Sequence, residues 1–153
     1  MLPKYHIFSG FTVSYILVYF FNFSLFAGII VFLSSFLIDI DHYFFSVYKR
    51  RDLSLLNSIK EHYKLRRKLM SMPWKKRRKY KTPIMIFHGI EFWILIIILS
   101  FFSNIFLLIL IGIIIHMSLD FIDIIYHHAP IYTKLSVIAV LQKNKSKEDI
   151  KGL

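Results

Sequence analysis

The chain has 153 residues, 56% hydrophobic and 18% aromatic, with 20 Lys and Arg against 9 Asp and Glu and a formal net charge of +11. Soluble domains are usually about 45–50% apolar and do not gather that content into long uncharged runs, yet here no charge occurs from Ile7 to Ile38 or from Phe92 to Ile115. This excludes a soluble enzyme, a disordered chain and, since cysteine is absent, a disulfide scaffold or a thiolate metal site.

Uncharged apolar runs of about 18 residues or more read as transmembrane helices. The first run, Ile7 to Ile38, has 32 residues, too long for one span of about 20. Asn22-Phe23-Ser24 breaks it, and Ser24 is suited to cap a following helix. The spacing predicts a hairpin, with a first helix from His6 to Phe21 and a second from Ser24 to His42. Both are short for a bilayer, so thinning or tilt is expected. Lys4 ahead of an apolar run also fits a signal peptide. The apolar character continues past Ala27-Gly28, the one candidate cleavage point, and favours a retained helix. Tyr43 to Thr82 follows as a basic loop carrying 14 of the 20 basic residues.

The second apolar run, Ile84 to Tyr126, breaks at Ser103-Asn104. A third helix is expected from Pro83, a favoured first helical residue, to Phe102. A fourth runs from Asn104 to Tyr126 and stops before Pro130. Ile131 to Leu141 reads as a short amphipathic piece, followed by a charged tail. The expected fold is an all-α integral membrane protein of four transmembrane helices in two hairpins. It forms a single domain over residues 1–141, with the basic loop at 43–83 and the tail at 142–153. Every Lys and Arg falls at the termini or in the central loop, and none lies at the turns near Asn22 and Asn104. The positive-inside rule then puts both termini and the loop on the cytoplasmic side of the plasma membrane.

Ionisable residues within spans cost about 2.5–3.5 kcal/mol each on insertion scales and are functional candidates by default. His6 opens the first helix, and Asp39, Asp41 and His42 close the second. His88 and Glu91 begin the third. His116, Asp120 and Asp123 stand at i, i+4, i+7 on one face of the fourth. Because the helices alternate in direction, all these groups are expected at one membrane level. Imidazole and carboxylate without thiolate suit zinc, manganese or iron. The number of donors allows two or more ions, a set that activates water against a phosphoester. Blander readings stand beside this one. Asp39, Asp41 and His6 also fit as interfacial residues, His116 with Asp120 as a hydrogen-bonded packing pair, and His88 with Glu91 as a proton relay. The joint pattern at four helix ends favours a metal site.

His6…Gly10, Asp-Ile-Asp-His at Asp39–His42 and Gly112…His116…Asp120 together resemble the YdjM-type membrane-bound metal-dependent hydrolases. That family is itself distantly similar to zinc-dependent phospholipases C and single-strand-specific zinc nucleases. The resemblance spans most of residues 5–124 and implies hydrolysis of phosphoesters. It puts His6, Asp39, Asp41, His42, His88, His116 and Asp120 at metal-ligand positions. Where the family tends to carry a second His in the third helix, this chain has Glu91. Glu91 and Asp123 are then the candidates for moving the proton.

The run from Lys64 to Lys81 interleaves Lys and Arg with Leu65, Leu69, Met70, Met72, Trp74 and Tyr80. Such a segment beside a membrane contacts anionic lipid headgroups at about 1 kcal/mol per basic residue. Electrostatic binding of nucleic acid is the less favoured partner, and His62 and Glu61 read as solvated. Two rival functions remain on sequence grounds. One is an ion or proton transporter using the same polar cluster, against which the polar groups stop at one level. The other is a non-catalytic membrane scaffold with a structural metal.

Overall fold

A computed structural model of the chain describes residues 3–149. In chain order the helices are α1 (Pro3–Phe20), α2 (Leu25–Leu37), α3 (Ile40–Arg50), α4 (Leu55–Met70), α5 (Trp74–Arg77), α6 (Ile90–Ser100), α7 (Asn104–Tyr126), α8 (Tyr132–Leu135) and α9 (Val137–Asn144). There is no strand among the described residues, and one isolated bridge joins Tyr80 to Glu148. The protein is all-helical. Two helical stretches, Leu25–Arg50 and Asn104–Tyr126, are long and apolar enough to cross a membrane, whereas α6 has only 11 residues. The backbone groups into two units, residues 3–39 with 90–123 and residues 40–89 with 124–149.

The first unit contains α1, α2, α6 and most of α7. Asn22 makes the turn after α1 with a φ of 55°, a left-handed conformation that Asn tolerates better than most residues. Ser24 then caps α2, its Oγ accepting from the Ala27 N–H at 3.2 Å. Small residues set how closely the helices approach, as is common between membrane helices. A Cβ on Gly10 of α1 would overlap Ser35 Oγ of α2, and one on Gly112 of α7 would overlap Ser34 Oγ and lie 2.7 Å from the Val31 carbonyl. Both serine hydroxyls turn back onto their own helix, Ser34 to Ile30 and Ser35 to Phe32, each at 2.7 Å. They therefore present little bulk to the crossing helices.

This unit exposes large apolar side chains while burying ionisable ones. Phe8 is 73% exposed on α1, and Ile94, Ile98 and Ile114 are exposed on α6 and α7, while His6, His116 and Asp120 are 0% exposed. Polar groups are normally outside in water. Here they share the interior with Val31, Ile113 and Met117.

The second unit departs most from expectation. The second helix does not end at His42. It breaks at Ile38-Asp39 and resumes as α3 through to Arg50, ending where Arg51 takes a φ of 57°. The expected basic loop contains the end of α3, the helix α4 and the short α5. Asp52 and Ser54 start α4, with Asp52 Oδ1 accepting from the Ser54 N–H (2.8 Å) and Ser54 Oγ from the Asn57 N–H (3.3 Å). Leu, Lys, Arg and Glu are good helix formers, and their charge masked that propensity. Arg50 pairs with Glu61 at 2.7 Å and the Tyr43 hydroxyl donates to the Leu53 carbonyl at 2.9 Å, so α4 returns along α3. Glu61 is thus engaged and not merely solvated.

The third helix begins at Ile90, not Pro83. Asp41 holds the intervening backbone, since the Phe87 N–H donates to Asp41 Oδ2 at 2.7 Å. In place of one amphipathic piece there are α8 and α9, with Ser136 between them accepting from the Ala139 N–H at 3.2 Å. The described part of the tail is tied down as well. Lys81 donates its N–H to the Glu148 carbonyl at 2.9 Å, and Asn144 exchanges two hydrogen bonds with the Thr82 backbone at 2.8 and 2.9 Å.

Candidate metal centre

In the first unit, His6, Asp39, His116 and Asp120 come together. His6 lies one helical turn before Gly10 and His116 one turn after Gly112. The two close helix contacts on Ser34 and Ser35 therefore also deliver the two imidazoles. Their rings stack with centroids 3.9 Å apart and 15° between planes.

The His116 tautomer is set by the end of α2. The Asp39 N–H turns to the Phe36 carbonyl (3.1 Å), one residue short of the α-helical partner Ser35. The Ser35 carbonyl instead accepts from His116 Nδ1 at 2.8 Å. A backbone carbonyl on Nδ1 is the arrangement that orients a metal-bound histidine with Nε2 as the ligand atom.

His116 Nε2 faces two carboxylates, Asp120 Oδ2 at 3.5 Å and Asp39 Oδ1 at 3.7 Å, and His6 Nε2 lies 3.6 Å from Asp120 Oδ1. These separations exceed the roughly 2.7–3.2 Å of an N–H···O hydrogen bond. They are close to the ligand-to-ligand edge of about 3.4 Å that follows from tetrahedral zinc with bonds of about 2.0–2.1 Å. Donor atoms of His6, Asp39 and His116 all lie within 4.8 Å of one another. Two carboxylates facing one buried nitrogen form a donor set that a cation would neutralise. His6 adds a further sign, because neither of its buried ring nitrogens has a hydrogen-bond partner. Leaving such a group unsatisfied costs about 1–3 kcal/mol. A cluster of His6, Asp39 and His116 that could hold a metal ion, with Asp120 beside it, is therefore present in this unit.

A second group of the expected residues lies in the other unit. Asp41, on the first turn of α3, is buried and accepts from Phe87 N–H and from His88 Nδ1, the latter at 3.2 Å, both through Oδ2. The carboxylate thus fixes the buried His88 ring through Nδ1. His42 is the neighbour of this pair, 5.9 Å from His88 between ring centroids, and His62 of α4 stands edge-on to His42 at 4.2 Å. Sequence reasoning left His62 in a solvated loop. The signal available for it was the helix-forming composition that brings α4 back along α3.

Asp123 is buried on α7, one turn beyond Asp120. Glu91 is partly buried in the first turn of α6. His88 precedes that helix, so His88 and Glu91 are not an i, i+3 pair on one helix face. His127 and His128 follow α7 in a turn, with His128 at a φ of 50°.

Comparison with family models, curated proteins and solved structures gave no match. The donor set alone carries the chemical reading.

Proposed function

We propose that the chain is a membrane-embedded metal-dependent hydrolase that cleaves a phosphoester. The observation that carries this reading is the buried group of His6, Asp39, His116 and Asp120, with imidazole and carboxylate atoms at metal-ligand spacing. The resemblance of its motifs to the YdjM-type hydrolases supplies the substrate class, with a phospholipid as the first candidate. Bound there, a divalent ion, zinc before manganese or iron, supplies Lewis acidity to water. His42 and His88 are ligand candidates for a second ion, with Asp41 orienting His88 through Nδ1. Glu91 and Asp123 are the groups to accept the proton.

Four spans with both termini cytoplasmic are proposed on two supports. Every Lys and Arg is segregated from the turns near Asn22 and Asn104. Apolar side chains such as Phe8 and Ile114 face outward while the ionisable ones are buried, as lipid surroundings demand. The basic segment around α4 and α5 then lies at the cytoplasmic surface beside anionic lipid headgroups.

The test is elemental analysis of detergent-purified protein, wild type beside His116→Ala and Asp120→Asn, followed by phosphodiester and phospholipid assays. About one to three equivalents of metal, lost in both variants, is the expected result. Wild-type protein purified without chelator and free of metal would sink the reading and leave the cluster as a packing or proton network. A second reading, a structural metal in a non-catalytic scaffold, would hold if Asp120 joined His6, Asp39 and His116 as a fourth ligand and left no position for water. Glu91→Gln and Asp123→Asn separate the two. The enzyme reading expects turnover to fall while metal is retained, and the scaffold reading expects no turnover in wild type.

A further inference from the structure

The residues of α4 divide into three rows along the helix. Ser58, Glu61 and His62 face α3: Ser58 is buried, Glu61 pairs with Arg50 at 2.7 Å, and His62 stands edge-on to His42. Leu56, Ile59 and Tyr63, at i, i+3 and i+7, share a second face. All three are exposed, as are Leu53 just before the helix and Leu55 at its start, from 38% at Tyr63 to 75% at Leu53. Lys60, Lys64 and Arg67, at i, i+4 and i+7, form an exposed basic row beside the apolar one. Lys68 is partly buried at the outer edge of the basic row. Arg66, at the inner edge of the apolar row, turns to His127, with Nη2 3.3 Å from Nε2.

A continuous exposed apolar row marks a membrane or protein contact, and the charge beside it selects between the two. The one acidic residue of α4 is Glu61, which is turned to Arg50, so the outward faces of the helix carry no negative charge. A second copy docked through the same self-complementary face would set two basic rows side by side, against like-charge repulsion. An anionic bilayer surface suits both rows, because an amphipathic helix rich in Lys and Arg lies in the interface plane with its apolar side in the acyl boundary. Tyr63 has the apolar ring and polar tip favoured at that boundary. α5 repeats the pairing of an aromatic with cations. Trp74 is exposed, with the Arg78 guanidinium 4.6 Å and the Lys75 ammonium 5.7 Å from its ring centre. We infer that α4 is an interfacial helix. Leu56, Ile59 and Tyr63 enter the acyl boundary of an anionic bilayer, and Lys60, Lys64 and Arg67 hold its phosphate headgroups. This deepens the reading that the basic segment lies beside anionic lipid by naming the face that inserts, and it rests on that reading for the side of the membrane.

The test is the depth of nitroxide spin labels in the full chain, reconstituted into vesicles of phosphatidylcholine with phosphatidylglycerol. The chain has no cysteine, so single labels go to Ile59→Cys and Tyr63→Cys in the apolar row and to Lys60→Cys and Lys64→Cys in the basic row. Ile114→Cys, on the exposed side of α7, serves as the reference for a spanning helix. Power saturation with oxygen, which collects in lipid, and with a nickel chelate, which stays in water, reads the depth. Positions 59 and 63 are expected about 5–10 Å below the headgroups, with 60 and 64 open to nickel. In vesicles of phosphatidylcholine alone, 59 and 63 should shift towards nickel exposure. Circular dichroism checks each labelled variant, and Leu56→Cys takes the place of one that loses helix content. Nickel access at 59 and 63 in the anionic vesicles overturns the inference. Closure of both positions to oxygen and nickel alike overturns it too, because protein then covers the row. Equal depth in the two kinds of vesicle would overturn the choice of an anionic surface. The reference label keeps the two readings apart. Ile114 deep with 59 and 63 in water sinks the docking face alone, whereas 59 and 63 deep with Ile114 in water supports the interfacial helix and removes the membrane-embedded reading.

Discussion

His116 shows how one backbone irregularity becomes chemistry. Had α2 continued regularly, the Ser35 carbonyl would have accepted from Asp39. The early turn to Phe36 frees that carbonyl for His116 Nδ1 and leaves Asp39 beside the same ring. His6 contributes differently, through a stacked ring and nitrogens that lack hydrogen bonds. His6→Phe retains the ring stack while removing both donors. We expect metal affinity, measured by competition with a chromophoric chelator, to fall about 10–100-fold, with helix content unchanged. Undiminished affinity would remove His6 from the ligand set. Asp41 permits a separate test in the other unit. Its carboxylate holds the Phe87 amide and the His88 ring, and charged hydrogen bonds of this kind contribute about 1–3 kcal/mol. In Asp41→Asn, the Phe87 amide should exchange about 5–150-fold faster with solvent deuterium. Unchanged exchange would show that residues 83–89 are held by something else.

Helix contacts set the precision of the first cluster, and Gly112 is the position most sensitive to change. In Gly112→Ala the new methyl meets the Val31 carbonyl, which is backbone and yields little, as well as the Ser34 hydroxyl. Overpacking of this kind costs about 1–3 kcal/mol. Because His116 lies one turn further along α7, the variant should lose metal affinity as well as thermal stability. A variant destabilised but fully metal-loaded would mean that the crossing does not position His116. α4 gives a pH-dependent case. The Ser54 amide, and after it the Asn57 side chain, hold the Asp52 carboxyl below its ordinary value of 3.8. A lowered folded pKa stabilises the helix start above that ordinary value, and the contribution fades as pH falls through the lowered one. Asp52→Ala should therefore reduce protection of the Ser54 and Asn57 amides at neutral pH and make no difference in strong acid, once intrinsic exchange is corrected for. These two helices also mark the limits of sequence reading. α7 was legible at both ends, because Asn104 and Pro130 bracket a largely apolar run whose polar residues share one face. α4 was not, since a basic amphipathic helix and a basic loop share one composition, and the Asp52–Ser54 cap is a short signal inside it. The late start of α6 was hidden for another reason: a tertiary bond from Asp41 overrides the helix-favouring Pro83.

At the scale of the whole chain, the sequence pattern that bears most directly on function is the segregation of charge. All 20 basic residues avoid the turns at Asn22 and Asn104, and the longest apolar helices, Leu25–Arg50 and Asn104–Tyr126, each begin close to one of those turns. If both turns face the outside, α1 and α6 must also traverse the bilayer, although they are 18 and 11 residues long. At 1.5 Å per residue, α6 is about 16 Å, roughly half the hydrocarbon thickness of about 30 Å. Its crossing would need the non-helical residues before Ile90 to lie at membrane depth, which is tolerated only where backbone polar groups are satisfied within the protein. Phe87 N–H on Asp41 is one such bond. Topology therefore decides between a four-span protein and one crossed by two helices only. The chain has no cysteine, so single-cysteine variants need no background removal. Phe21→Cys serves better than a change at Asn22, whose φ of 55° disfavours other side chains. Ser103→Cys is nearly isosteric at the second turn, and Ser71→Cys with Gln142→Cys report on the basic side. A membrane-impermeant maleimide applied to intact cells should label positions 21 and 103 and spare 71 and 142 until lysis. Labelling at 21 with protection at 103 would place the two turns on opposite sides, leave α6 uncrossed and reduce the chain to fewer spans.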